Sequence, residues 1–373
     1  MHEWISRRFF IAGLSVLGLG APELFGKPAI STVPQIRPGA VWADTAGKPI
    51  NAHGGGMLFH DGTYYWYGEI KQGKTYLPKV NASWGGTRVD VVGVSCYSST
   101  DLLHWENRGN VLPAVTNDPK SDLDPKKVLE RPKVVYNAKT KKFVLWFHSD
   151  SVNYAAARCG VAVSDTPTGP FKYLGNFRPN VGQWPVDVTD ADKADAQSQL
   201  VKDFPVGQMA RDLTVFVDDD AKAYLVAASE GNPTLQISEL SDDYLKTTGK
   251  YIRVFKGRSM EAPTVFKRNG KYYMINSGCT AWEPNAARSA VADSIWGPWT
   301  ELGNPCQGDK ADITFQSQST YVLPVVGKTD TFIFMADRWN KDNLSDSRYI
   351  WLPITFTPDG KPEIRWQDQW SLQ

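Results

Sequence analysis

One pattern recurs five times along this chain, and it leaves few folds open. An apolar strand, a tight polar turn and a second aromatic-rich strand appear at Gly56 to Tyr67, Lys133 to Trp146, Leu213 to Val226, Thr264 to Ile275 and Thr320 to Phe334. Each turn carries Asp, Asn or Gly, which tolerate the backbone angles a hairpin demands. A third strand follows each hairpin, at Val94 to Trp105, Val161 to Phe171, Leu235 to Tyr244, Ser289 to Trp299 and Arg348 to Phe356. A repeat of this length that buries its apolar faces against its neighbours makes a closed ring, because an open sheet of so many strands would expose unpaired edges. The reading is all-β: a five-bladed β-propeller over residues 30–373, with a large sandwich as the competing all-β fold. Ser31 to Pro49 is expected to close the ring and Ile364 to Leu372 to complete the last blade.

Composition agrees where it bears on this. Fourteen Trp, fifteen Tyr and sixteen Phe with thirty-one Gly and twenty-four Pro suit short strands and tight turns. Most rings are expected in the core, although an indole face also stacks on the C–H faces of sugars. Forty-one Lys plus Arg against forty Asp plus Glu give a formal charge of +1, too little field to hold nucleic acid or an anionic membrane. Four cysteines without a C-x-x-C spacing make neither a disulfide framework nor a zinc site.

The first 29 residues read as a separate segment. Arg7 and Arg8 precede a short apolar run to Ala21, too short to span a bilayer and laid out as an export signal of twin-arginine type. The mature protein is therefore expected in the periplasm or outside the cell, as a monomer with no membrane span. Three long stretches, Gln72 to Asp90, Val115 to Val128 and Asn180 to Pro205, exceed ordinary turns and are expected to be pocket-shaping rim loops or disordered decoration. The first, with Tyr76 and Trp84 among glycines, is read as a pocket wall.

In a propeller the innermost strands line the central channel. At the heads of these strands stand Asn51 to Gly54 with His53, Glu130-Arg131, Arg211-Asp212, Glu261-Ala262-Pro263 and Gln316 to Ser319. Converging charges cost several kcal/mol unless paired or used. Simple ion pairs, Glu130 with Arg131 and Asp212 with Arg211, are the alternative to a functional reading. Three carboxylates around a neutral pocket are what glycoside hydrolysis needs, one to protonate the leaving oxygen and one to act across the ring. No G-x-S-x-G, phosphate-binding glycine loop or H-E-x-x-H is present, and five scattered histidines make no metal cluster.

With these residues in place, the chain resembles glycoside hydrolase family 43 from Gly39 to Trp370. Ile50 to Gly56, Glu130 to Val134, Trp146 to Asp150, Ala210 to Asp212, Met260 to Pro263, Ser277 to Trp282 and Ser317-Gln318 resemble its branch of exo-β-1,3-galactanases. The resemblance implies an inverting exo-acting enzyme that releases galactose from β-1,3-galactan or arabinogalactan. It makes Glu261 the general acid, Asp212 the residue that tunes that acid, and Glu130, Glu69, Tyr154 and Asn232 sugar contacts. His53 joins the substrate contacts and Trp282 a stacking platform. The Asp that serves most of the family as base is replaced around Asn51 to His53, and Gln318 stands where the branch places a glutamine instead. A neutral amide is a poor base, so Gln318 either acts through an imidic tautomer or positions the water, with Glu130 as the fallback. Cys279 and Ala281 depart from the Thr and Gly of better-known galactanases, which leaves open an arabinofuranosidase or a galactofuranosidase, and the replaced Asp leaves open a non-catalytic sugar-binding propeller. The partner implied is an oligo- or polysaccharide. No organic cofactor or catalytic metal is implied, and a structural calcium in the channel is left open.

Overall fold

A computed structural model describes residues 35–372, so the expected export segment lies outside the described residues. Strands β1 (His53–His60), β2 (Thr63–Glu69), β3 (Gly93–Ser99) and β4 (Glu106–Pro113) form the first sheet, each antiparallel to the next. The second holds β5 (Val128–Asn137), β6 (Lys142–Asp150), β7 (Arg158–Ser164) and β8 (Lys172–Phe177). The third holds β9 (Leu213–Val217), β10 (Ala223–Ser229), β11 (Thr234–Leu240) and β12 (Thr247–Val254). The fourth holds β13 (Met260–Arg268), β14 (Lys271–Gly278), β15 (Arg288–Ala292) and β16 (Thr300–Gly303). The fifth comprises β17 (Cys306–Gln307), β18 (Gln318–Pro324), β19 (Phe332–Arg338), β20 (Arg348–Phe356) and β21 (Pro362–Arg365). These five sheets are the blades of a propeller, and each repeated hairpin is the inner pair of one blade.

The core is distributed between blades. Five apolar clusters fill the five junctions, such as Tyr67, Val94 and Leu112 of blade one against Leu145, Phe147 and Phe171 of blade two. Each blade is apolar on both faces because each face meets a neighbour, so its strands read as nearly continuous apolar runs. The junction between blades five and one is the most aromatic: Trp66, Trp105 and Trp351 are fully buried there, with Trp42 packed edge-on to Trp351 at 4.8 Å. The segment before β1 lies across that junction, where Ile36 pairs with Trp370. The closing strand of blade five is β21, and β17 adds a short parallel edge beside it.

The stretch from Asn180 to Pro205 differs from expectation. It holds two single-turn helices, α1 (Asp190–Ala194) and α2 (Gln199–Asp203), and is fastened to the outer part of blade three rather than shaping a pocket. Val186 N–H donates to Tyr251 O at 2.8 Å, and Arg253 reaches both Asp192 (2.9 Å) and Glu230 (2.7 Å). Among the described residues no helix is long and apolar enough to cross a membrane. All four cysteines are free, with Cys306 buried between blades four and five and Cys279 exposed.

Candidate active site

The heads of the inner strands are bulged. The register slips between Glu130 and Lys133 in β5 and between Glu261 and Thr264 in β13, and the residue after each glutamate is left-handed, with φ of 56° at Arg131 and 49° at Ala262. Pro132 and Pro263 follow, residues that lack the N–H a regular ladder would need. A bulge inserts a residue and re-aims its neighbours, so both glutamates turn toward the channel mouth. Blade one has the same slip at His53 to Gly56, with Gly54 at φ 60°. A Cβ at Gly54 would lie 2.3 Å from Glu69 Oε1, so only glycine fits there.

The heads of blades two to five, with Glu69 at the end of β2, surround a cavity of about 600 Å³ whose lining includes Glu69, Glu130, Tyr154, Asp212, Asn232, Glu261, Trp282 and Gln318. His53 is not in that lining. It is 2% exposed, with Nδ1 2.9 Å from Asp337 Oδ1 and its ring stacked on Tyr349 at 4.8 Å, so this expected sugar contact is a support beneath the site instead.

Glu261 is a carboxyl ready to carry a proton. Burial, then the Asp212 charge, raises its pKa to about 7, against the opposing hydrogen bond from Cys279. Its Oε1 accepts from Asn232 Nδ2 at 2.7 Å and from the Cys279 thiol at 3.1 Å. Burial and the neighbouring Glu261 charge push that thiol up to about 12, so it stays a donor. Arg211 Nη1 donates to Asn232 Oδ1 at 3.2 Å, which fixes the amide with its NH2 toward Glu261.

Glu130 has the opposite character. Burial favours its neutral form, but the His148 imidazole, then the Lys71 charge, hold its pKa down to about 2. Tyr154 donates to Glu130 Oε1 at 2.7 Å, and His148 Nδ1 lies 3.4 Å from Oε2. Burial works against protonating His148, yet its contacts with Asp150 and Glu130 outweigh it and lift the ring to about 9. Glu69 is buried, which raises its pKa over the opposing charge of Lys71 at 2.6 Å.

The ion pairs weighed as the alternative to a functional reading do not form. Arg131 leaves Glu130 and crosses to Asp212, 2.8 Å away on blade three, and to Gln318 Oε1 at 2.5 Å on blade five. Asp212 Oδ2 also accepts from Ala262 N–H at 3.2 Å, directly after Glu261. Gln318 Oε1 takes a second bond from Trp339 Nε1 at 3.0 Å, while its Nε2 donates to Ser277 Oγ at 3.0 Å. Guanidinium and indole are obligate donors, so the amide orientation is fixed and its oxygen is already occupied.

Glu130, His148 and Asp212 present ligand atoms within 4.8 Å of one another. The set fits calcium poorly: calcium seeks six to eight oxygens, and here one donor is an imidazole and Asp212 already pairs with Arg131. Beneath the floor the buried Lys133 donates through Nζ to Gly54 O at 2.9 Å, and the channel reopens below it as a funnel of about 520 Å³. Burial, then the Arg131 charge, lowers the Lys133 pKa to about 7.

Sequence reading missed Lys71, His148 and Trp339 as site residues, all of which line the cavity. A signal existed for some of them. His148 lies directly across the ladder from Glu130, and Trp339 immediately follows β19, whose Asp337 opposes Gln318.

The comparisons with known proteins agree with this geometry. A β-1,3-galactosidase of glycoside hydrolase family 43, solved with galactodeoxynojirimycin, is 46% identical, covers 90% of this chain and 100% of its own, and superposes with a TM-score of 0.83. The exo-β-1,3-galactanase of Phanerochaete chrysosporium, solved with β-1,3-galactotriose, is 35% identical over 91% of this chain and 68% of its own, with a TM-score of 0.74. A β-D-galactofuranosidase of Aspergillus niger is 26% identical over 260 residues, 68% of each chain. The model of glycosyl hydrolases family 43 matches residues 57–362, nearly the whole ring, and the chain belongs to that family.

Proposed function

We propose that this protein is an inverting, exo-acting glycoside hydrolase that releases terminal galactose from β-1,3-linked galactan or arabinogalactan. The observation that carries it is the division of labour between two carboxyls in one cavity: Glu261 holds a proton near neutrality while Glu130 stays ionised. The 46% identity to a β-1,3-galactosidase supports galactose as the sugar.

In this reading Glu261 protonates the glycosidic oxygen as the bond to the anomeric carbon breaks, and Asp212 keeps that proton on Glu261 until substrate arrives. Asn232 and Cys279 both donate to Oε1, which leaves Oε2 to carry the acid proton. Water adds from the opposite face. Gln318 orients it through its NH2, as an amide rather than an imidic base, because its oxygen is held by Arg131 and Trp339. The proton shed by the water passes to Glu130. Glu69, Tyr154 and Trp282 bind the sugar. The arginine pair and short apolar run in residues 1–29 support export, which puts the enzyme where plant or microbial polysaccharide is found.

Hydrolysis of β-1,3-galactobiose followed by NMR tests this. The first product is α-galactose, and Glu261→Ala abolishes its release. Glu130→Ala loses turnover and recovers it with azide, forming α-galactosyl azide. Turnover confined to galactofuranosides would transfer the assignment to the activity of the Aspergillus relative.

A further inference from the structure

The blade-one loop between β2 and β3 does more than border the cavity. It runs outward and is fastened to three other blades. Asn81 Nδ2 donates to Val152 O of blade two at 3.0 Å. Trp282 Nε1 of blade four donates to Thr87 O at 3.0 Å. Thr87 Oγ1 donates to Lys341 O at 2.8 Å, and Leu344 N–H to Thr75 Oγ1 at 2.8 Å, both in blade five. Tyr76 and Arg88 pair with each other across its base. A loop held at both flanks and at its tip is a fixed wall.

This wall presents Trp84, which is 43% exposed and lines the cavity. The ring is held from two sides. Tyr154 meets it edge-on with centroids 5.4 Å apart and planes at 86°. It also lies so close over Gly86 that a Cβ there would fall 2.1 Å from its six-membered ring. The remaining surface is open. An exposed aromatic ring locked by its neighbours binds with little loss of rotamer freedom, and at the edge of a sugar-sized cavity it offers a ready surface to the C–H face of a sugar.

Depth in the cavity says which part of the ligand that is. Arg131 and Glu69, which lie among the bulged heads, are buried, and Glu261 is nearly so, whereas Trp84 stands at the rim. The terminal sugar of an exo-acting enzyme occupies the floor, so the next unit must pass the rim. We propose that Trp84 is the stacking platform for the sugar on the leaving-group side of the scissile bond, giving the chain a second subsite on its long blade-one loop. The ligand class is a β-linked galactopyranosyl unit, whose C–H face covers the indole. This inference rests on the galactosidase reading above.

The test compares kcat/KM for β-1,3-galactobiose with that for β-galactosyl fluoride, whose leaving group is too small to reach the rim. Trp84→Ala should lower the ratio of biose to fluoride about tenfold, within the range of aromatic stacking. Trp84→Phe should restore most of it, and Gly86→Val, which displaces the ring without removing it, should copy the loss. An unchanged ratio, or an equal fall on both substrates, overturns the subsite. Calorimetry on Glu261→Gln gives an answer independent of turnover. Adding Trp84→Ala should weaken β-1,3-galactotriose about tenfold more than galactose, and equal weakening refutes the platform even if the hydrolytic reading fails.

Discussion

Replacing Asp212 by Asn tests the electrostatic account of the acid with little change of shape. The amide can still accept from Ala262 N–H and from Arg131, which now bond the carboxylate at 3.2 and 2.8 Å. Only the charge is lost. That charge is the second-largest influence holding Glu261 near 7, after burial, and without it only burial opposes the downward pull of the Arg131 guanidinium. A like charge in a shared site moves a carboxyl by one to several pH units, so the alkaline limb of kcat/KM should fall by about 1 to 2 units. At pH 7 the protonated fraction of Glu261 then drops from about one half to about 1–10%, a loss of about 5- to 50-fold, whereas at pH 5 the loss stays within about twofold. The assay is kcat/KM for β-1,3-galactobiose from pH 4.5 to 9, which reports the free enzyme. A loss of equal size at every pH, with the limb still near 7, would refute the argument and make Asp212 a sugar contact or a structural anchor.

In the parent enzyme the same assay should show activity falling through pH 7 as Glu261 ionises. Glu261→Gln should abolish hydrolysis yet stabilise the fold in alkali. The folded pKa of about 7 lies above the ordinary 4.5, so stability present below 4.5 is lost as pH rises through 7, and the amide should recover about 2–3 kcal/mol at pH 8 and none at pH 4.5 in urea unfolding. Cys279→Ala removes a hydrogen bond that lowers the acid's pKa, so the alkaline limb should move upward, and a downward move would contradict the assigned thiol donor. Gln318→Ala should cut kcat about 100-fold, and Gln318→Glu should also slow turnover. A faster Gln318→Glu variant would show that this position does accept a proton.

The ring was legible because a blade is a local unit: each inner hairpin is contiguous in sequence, and its turn residues mark it. The polar heads were legible too, since Glu130 and Glu261 recur at one place in the repeat. What those residues bond to was not. Glu130 and Arg131 are neighbours in sequence, but the left-handed backbone at Arg131 sends the two side chains to different blades. Periodicity finds a helix over many residues, so the five-residue α1 and α2 left no pattern to read. His53 carries the same residue type whether it faces a sugar or, as here, Asp337, and only the packing of blade five decides between them.

The ammonium of Lys133 has a consequence for how a long polymer is degraded. With its Nζ bound to the carbonyls of Gly54 and Arg131, it stoppers the axial passage, and a freed monosaccharide has no rear exit through the hub. The galactose must back out by the way the chain came in, and the shortened chain has to move aside first. Digestion is expected to be distributive, shortening a whole population of chains by one unit at a time rather than consuming single chains to completion.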